Sequence, residues 1–280
     1  MSAKEFARYV LASKPCRVVL AGIEKAPFGR RTLNSISRTH GVFADFQEAW
    51  SVAGRRTHAG HDHPDAVALH LELSKELRPS DYAVLYWLCQ IRSGDLRIFD
   101  FGGNAGNLYY SYSGYLHREG SNITWTVFDL PKVIDEGRRI AAERHASSLR
   151  FTSSLNDCDG ADVLLVSGAL HYWEQSVRQF LEQFRKLPGH IILNRTPVRE
   201  SGPAFITVQR TDSYAVPCLV RNAAEMIAEF AATGYVVVDH WKALELALTL
   251  PLFPERSVPH YSGFYFRLQD QAPDRQTRAR

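Results

Sequence analysis

The most restrictive feature of this 280-residue sequence is an alternation that begins near residue 95: short apolar runs separated by stretches of helix length. The runs are Arg97 to Phe101, Ile123 to Phe128, Leu149 to Ser153, Asp162 to Ser167, His190 to Asn194, Tyr235 to Asp239 and Gly263 to Leu268. Between them, Pro131 can open a helix reaching about His145, since proline is tolerated in a first turn. Trp173 to Leu187 carries apolar residues at 173, 177, 180, 181, 184 and 187, a helical stripe stopped by Pro188-Gly189. Asn222 can cap a third helix ending near Gly234. Strands that are apolar throughout, spaced by helices, specify a mostly parallel α/β sheet covered on both faces. The last two runs flank an irregular stretch with Pro251, Pro254 and Pro259, which suits an antiparallel edge better than another crossover. Residues 1–92 read differently, with helical stretches at Val67–Leu77 and Tyr82–Ile91, so they are expected to form a mainly helical cap. The core is expected over 93–270, and 271–280 has almost nothing to bury and should fray.

Composition removes several classes. Lys+Arg 33 against Asp+Glu 30 leaves a formal charge of +3, and the basic residues form no stripe interleaved with aromatics, so nucleic acid is not an expected partner. The longest apolar run, Ala83 to Cys89, is far shorter than the roughly 18–20 residues that span a bilayer, so no membrane is expected either. Charges interrupt the first residues, which do not read as a signal peptide. Cys16, Cys89, Cys158 and Cys218 are scattered and read as reduced thiols of a cytoplasmic protein. The spacing of His58, His61 and His63 fits no standard zinc site, and a polar loop is the reading adopted, with no metal.

The chemistry concentrates in Asp100-Phe101-Gly102-Gly103-Asn104-Ala105-Gly106, directly after a buried run and before a helix. Ligands of open α/β sheets bind outside the carboxyl ends of the strands, and glycines there admit a close approach of backbone to ligand. Asp129 ends the next run, 23 positions after Gly106, where a carboxylate can grip two ribose hydroxyls. Asp100 would repel a pyrophosphate and attract a cation. S-adenosylmethionine, a sulfonium with an α-ammonium group and no phosphate, fits that charge.

The ordered segments Asp100–Gly106, Phe128-Asp129-Leu130-Pro131 and Ser167-Gly168-Ala169-Leu170-His171-Tyr172-Trp173 resemble the signature segments of class I S-adenosylmethionine-dependent methyltransferases. With Phe46-Gln47-Glu48-Ala49, Leu193-Asn194-Arg195-Thr196-Pro197, Ile206-Thr207-Val208-Gln209 and Gly234-Tyr235, the chain resembles a little-characterised bacterial family of methyltransferases over roughly residues 43 to 268. The resemblance implies a seven-stranded sheet with one antiparallel strand. It also implies that Asp100, Gly102, Gly103, Asn104 and Gly106 line the methionine part of the donor and that Asp129 and Leu130 meet its ribose side. Ser153, Ser154 and Leu155 would edge the adenine, with Ser167 and Gly168 beneath the sulfonium. Asn104 departs from the family, whose loop has a glycine there; asparagine tolerates left-handed backbone, so an altered but working loop is expected.

Methyl transfer needs a positioned acceptor, exclusion of water and sometimes a base. His171, after the fourth run, is the candidate base for a small-molecule acceptor, with helix packing as the bland alternative. Tyr109, Tyr172, Arg195, Glu200 and Tyr214 are candidate acceptor contacts. Arg195 could hold a carboxylate or close a surface salt bridge, and Glu200, Asp212 or Glu174 would matter for a cationic acceptor. The stretch from Glu200 to Tyr214, broken by Gly202-Pro203 and followed by Pro217, reads as a lid. A homodimer through the cap is also compatible with the sequence. Two other functions compete: a nicotinamide-dependent oxidoreductase, which Asp100 disfavours, and a catalytically silent S-adenosylmethionine-binding subunit, for which Asn104 is the sole support.

Overall fold

The structure, a computed structural model, describes residues 38–54, 58–59, 76–92, 94–116, 122–210 and 214–269. The chain enters through strand β1 (Thr39–Phe43), helix α1 (Phe46–Ala53), the two-residue strand β2 (His58–Ala59) and helix α2 (Asp81–Ile91). Then come β3 (Leu96–Phe101), α3 (Asn107–Leu116), β4 (Ile123–Phe128), α4 (Pro131–Glu143), β5 (Leu149–Thr152) and β6 (Val163–Ser167). The last third holds α5 (Val177–Leu181), β7 (His190–Thr196), β8 (Val198–Arg199), β9 (Phe205–Arg210), β10 (Tyr214–Asn222), α6 (Ala223–Ala232), β11 (Tyr235–Ala243) and β12 (Tyr261–Leu268).

All seven apolar runs became strands of one sheet, ordered β11-β12-β7-β6-β3-β4-β5. The pairings β3–β4, β4–β5, β3–β6 and β6–β7 are parallel, and β12 runs antiparallel to both β7 and β11. This is a Rossmann-like α/β sheet with one antiparallel strand, as expected. Successive side chains of a strand point to opposite faces, and here both faces are covered. Phe99, Leu164 and Val166 join Phe180, Phe230 and Phe266 in one core cluster. Ile98, Leu165 and Ile192 join Leu88, Tyr112 and Trp125 in the other. Four consecutive buried residues, Val163 to Val166, are the signature of a strand sandwiched in this way.

Two expectations are corrected. The helix expected over Trp173–Leu187 shrinks to Val177–Leu181, preceded by a 3-10 turn at Leu170–Tyr172. Ser176 and Gln179 form a capping box that starts the helix at Val177, and before it the Arg221 guanidinium donates to the carbonyls of Leu170, Trp173 and Gln175 at 3.0, 2.9 and 2.8 Å. The apolar stripe nevertheless buries Val177, Phe180, Leu181 and Phe184 as its spacing requires. The segment read as a lid is instead a strand pair, β9 against β10, within a second sheet ordered β1-β9-β10-β2 with β8 pairing β10. Pro217 is tolerated in β10 because, among the described residues, only β9 pairs at that position: β2 meets residues 214 and 215, and β8 meets 221 and 222. In the described part of the cap region α1 and α2 are accompanied by the shorter strands β1 and β2, which enter this second sheet. Of the helical stretch Val67–Leu77, residues 67–75 lie outside the described residues, as does the tail beyond 269. No helix among the described residues is long and apolar enough to cross a membrane.

Gly263 is a second structural constraint. It faces Trp241 across the β11–β12 pair, and a Cβ added to it would lie 2.1 Å from the indole. The glycine lets the indole lie flat and donate from Nε1 to Asn194 Oδ1 on β7 at 3.1 Å. Gly263→Ala should cost about 1–3 kcal/mol, the usual scale for overpacking. Urea denaturation checks this; a midpoint equal to that of the parent protein would show that the indole is not held there.

Candidate functional site

The carboxyl ends of β3, β4, β6 and β7 meet along one edge of the main sheet, and the sequence motifs lie on that edge. Leaving β3, the chain turns sharply back over Asp100. Gly102 (φ +72°), Asn104 (+55°) and Gly106 (+85°) are all left-handed. Side chains are excluded at the two glycines by contact as well as conformation: a Cβ on Gly102 would sit 2.5 Å from Ala169 Cβ, and one on Gly106 2.6 Å from Leu149. A Cβ on Gly103 would lie 2.4 Å from Asp100 Oδ2, so the turn rests directly on that carboxylate. Asn104 satisfies the turn locally, its Oδ1 accepting from the Ala105 N–H at 2.8 Å. Its own N–H donates to Asp129 Oδ2 at 2.8 Å, and Asp129 Oδ1 accepts from the Leu130 N–H at 2.7 Å. The two aspartates therefore flank the turn, and Asp129 is tethered to its middle residue.

Asp100 is 1% exposed. Its Oδ2 accepts from the Trp125 indole N–H at 3.0 Å, while Oδ1 is buried with no partner. Burial raises the carboxyl to about 7; the Trp125 hydrogen bond opposes that, Asp129 adds to it, and the Arg195 charge lowers it. A buried carboxylate with one unmet oxygen is costly unless a cation or donor arrives, which marks this atom as a binding group.

The other predicted residues fall around this turn in different ways. Leu130 is exposed beside Asp129. Ser153 is exposed, the Ser154 N–H donates to Thr152 Oγ1 at 3.0 Å, and Leu155 begins a 3-10 turn against the core. At the end of β6, Gly168 (φ +75°) donates its N–H to the Asn194 carbonyl at 2.9 Å and has open space where a Cβ would be. His171 is buried, its ring 4.1 Å from Tyr172 and 6.1 Å from Tyr261. Tyr172 donates to Gln209 Oε1 at 2.8 Å and Gln209 Nε2 donates to Tyr261 Oη at 2.7 Å, so the second sheet braces the histidine's aromatic neighbours.

Arg195 is the clearest departure. It neither faces solvent nor closes a surface bridge, but turns inward from left-handed backbone (φ +52°) to pair with Asp81 Oδ1 at 2.8 Å and donate to Ser167 Oγ at 3.2 Å. The pair is almost fully buried, with side chains 11% and 4% exposed. Tyr109 packs on Trp125 and lines a small cavity with Ser113, Leu116 and Ile123. Glu200 is exposed after β8, and Glu174 accepts from the Trp50 indole at 3.4 Å. Tyr214 opens β10, with its side chain outside the description; Asp212, His61 and His63 lie outside the described residues, and His58 begins β2.

Sequence reasoning missed Asp81, Trp125, Gln209 and Arg221. Asp81 carried a signal, since Pro79-Ser80-Asp81 is an ordinary helix opening, but nothing local shows that its carboxylate turns into the core. Arg221 differs from other arginines only in its three-dimensional setting.

No family model matches the chain, and no curated protein matches it. Solved structures do. The 1,6-didemethyltoxoflavin-N1-methyltransferase of Burkholderia thailandensis shares 15% identity over 88% of this chain and 90% of its own, with a TM-score of 0.45. The glycopeptide N-methyltransferase MtfA shares 10% over 74% and 99%, with a TM-score of 0.48. A SAM-dependent methyltransferase from Aquifex aeolicus shares 12% over 72% and 98%, with a TM-score of 0.44.

The left-handed Asn104 supplies a test of the turn. Asn104→Gly should hold stability within about 1 kcal/mol, whereas Asn104→Val should lose about 1–3 kcal/mol by placing a branched side chain in that conformation. Equal melting curves for the two variants would contradict the geometry.

Proposed function

We propose that the chain is an S-adenosylmethionine-dependent methyltransferase, transferring a methyl group to an oxygen or nitrogen of a small-molecule acceptor. One observation carries this reading: a fully buried carboxylate, Asp100, with an unmet oxygen under a left-handed glycine turn. That is a receptor for a cation, and a dinucleotide's pyrophosphate would meet repulsion there. The residues fit the donor. Asp100 would take its α-ammonium, Asp129 with the exposed Leu130 its ribose side, and Ser153, Ser154 and Leu155 the adenine edge. The open space at Gly168 Cα would leave room near the sulfur. When bound, the donor supplies an electrophilic methyl on a positively charged sulfur.

The rest of the chemistry belongs to the chain. His171, held among Tyr172 and Tyr261, is the base we assign: a neutral imidazole nitrogen takes the proton of the acceptor's hydroxyl or ammonium as the nucleophile forms. The tyrosines, fixed by Gln209, exclude water from that nitrogen. The core edge thus provides the donor half of the site and the 170–173 turn, clamped by Arg221, provides the acceptor half.

Calorimetry with S-adenosylhomocysteine tests the donor reading. Binding should weaken at least tenfold in Asp129→Ala. It should also weaken as pH falls through about 7, because protonation removes the charge that Asp100 offers; Asp100→Asn should bind weakly at every pH and flatten the profile. Folded protein that ignores S-adenosylhomocysteine while enhancing NADH fluorescence would replace this reading with that of an oxidoreductase.

His171→Ala is expected to keep S-adenosylhomocysteine affinity and to lower methyl transfer about 10²-fold, the scale of a lost general base. Unchanged turnover on an accepted substrate would return His171 to a packing role.

A further inference from the structure

Behind the donor turn lies a buried set of charges that the proposed reaction does not use. Asp81, in the first turn of α2, accepts from Tyr112 Oη at 2.6 Å, from Arg195 Nη2 at 2.8 Å and from Asn194 Nδ2 at 3.5 Å through Oδ1. Its Oδ2 accepts from the Arg78 N–H at 2.8 Å. Ser80 donates to Glu245 Oε1 at 2.5 Å, and the charge of Arg78 acts on both Glu245 and Asp81. Tyr112 packs edge-on against Trp125, 6.2 Å between centroids, and Trp125 is the donor to Asp100. Asp81 and Asp100 are therefore two buried carboxylates on one face of the sheet, joined through Tyr112 and Trp125. Arg195 acts on both, but its hydrogen bonds go to Asp81 and Ser167. Among the described residues Glu245 Oε2 is also buried without a hydrogen bond, but it lies in the field of Arg78; at the donor turn it is Asp100 Oδ1 that is left unmet.

We infer that Asp81 is a positioning residue for ligand binding: by pinning Arg195 it keeps that guanidinium off Asp100 and reserves the open carboxylate oxygen for an external cation. The left-handed backbone of Arg195 fits this role, since an unrestrained arginine would not choose it. Without the Asp81 charge, Asp100, on which the Arg195 charge already acts, is open to that guanidinium, and an internal salt bridge there would fill the place of the ligand's ammonium. The cap helix α2 would then govern the donor site through a charge it never presents to the donor. The ligand part of this inference rests on the donor reading; the coupling of Asp81, Arg195 and Asp100 does not.

The Trp125 indole N–H reports on Asp100 without any ligand. In ¹⁵N-labelled protein its resonance should move with pH as Asp100 titrates. The charged or titratable groups acting on that carboxyl are Asp129 after β4, Arg195 on β7 and Tyr112 on α3. Asp81→Asn keeps the side chain's size and loses its charge. It should shift the Trp125 step down by at least one pH unit and weaken S-adenosylhomocysteine binding at least tenfold at pH 8. Asp81→Asn combined with Arg195→Met should restore binding to within threefold of the parent, which a merely structural lesion would not do. Arg195→Met alone, which serves also if Asp81→Asn does not fold, should move the step upward. An unmoved step in either single variant, or a double variant no better than Asp81→Asn, overturns the inference. If the steps move as stated but the parent protein binds no S-adenosylhomocysteine, the coupling stands and it is the donor reading that fails.

Discussion

The structure depends on one awkward placement: a carboxylate at the end of a buried central strand, covered by the chain that leaves that strand. Asp100 is in the sheet because its neighbours Phe99 and Phe101 are core residues, Phe101 stacking on Phe128 at 5.2 Å. Immersion of an ion in such surroundings costs several kcal/mol, offset here in part by the Trp125 indole. The turn cannot relax away, because Gly102 is bonded to the Phe128 carbonyl at 2.8 Å and Asn104 to Asp129. Backbone geometry, carboxylate burial and the position of the second aspartate are thus a single arrangement, and changing any one of them alters the charge presented at the sheet edge.

A second arrangement builds the opposite wall. Arg221 is 5% exposed and burial lowers its pKa to about 10, yet its hydrogen bonds to three consecutive-turn carbonyls keep it in place. Its hydrogen bonds to neutral carbonyls fix the 170–175 segment, and the charge of Glu229 on α6 also acts on the guanidinium. The second sheet reaches the same segment through Gln209. Its opposite face carries α1, where Ala49 and Ala53 pack on Ile206, Val208 and Ala215. Small residues on α1 bring that helix close to the strands, so the β9–β10 pair is packed into the structure by α1.

Much of this was legible in the sequence because it is local. Pro131 opens α4 and Asn222 caps α6, its Oδ1 accepting from the Glu225 N–H at 3.0 Å. The central runs are strands because continuous burial, as from Val163 to Val166, leaves little alternative pattern, whereas the edge strand β11 is partly exposed; the glycine turn follows from residues adjacent in the chain. What could not be read is set by long-range pairing. Arg195 meets Asp81 across 114 positions, and Arg221 draws carbonyls from about 46 to 51 positions away. Periodicity foretold which side chains of 173–187 are buried but not that a guanidinium from another strand would meet the carbonyls of Trp173 and Gln175. The β9–β10 pair was obscured by its punctuation: Gly202-Pro203 and Pro217 suggest irregular chain unless the strand is known to have a partner on one side only.

The buried charges near the site also bear on why the protein tolerates them. Replacing a buried ion pair with apolar residues is often neutral or stabilising, so the Asp81–Arg195 pair is weak evidence for stability. Its geometry is better explained by what it excludes. An apolar pair at these positions would fill the same space but leave Asp100 facing nothing of opposite charge, and its proton would then be held more tightly. A lone arginine would quench Asp100 altogether. Only a cation already engaged by a second carboxylate lowers the cost of the first without occupying it, and that requirement places one partner on the core edge and the other on the helix that covers it.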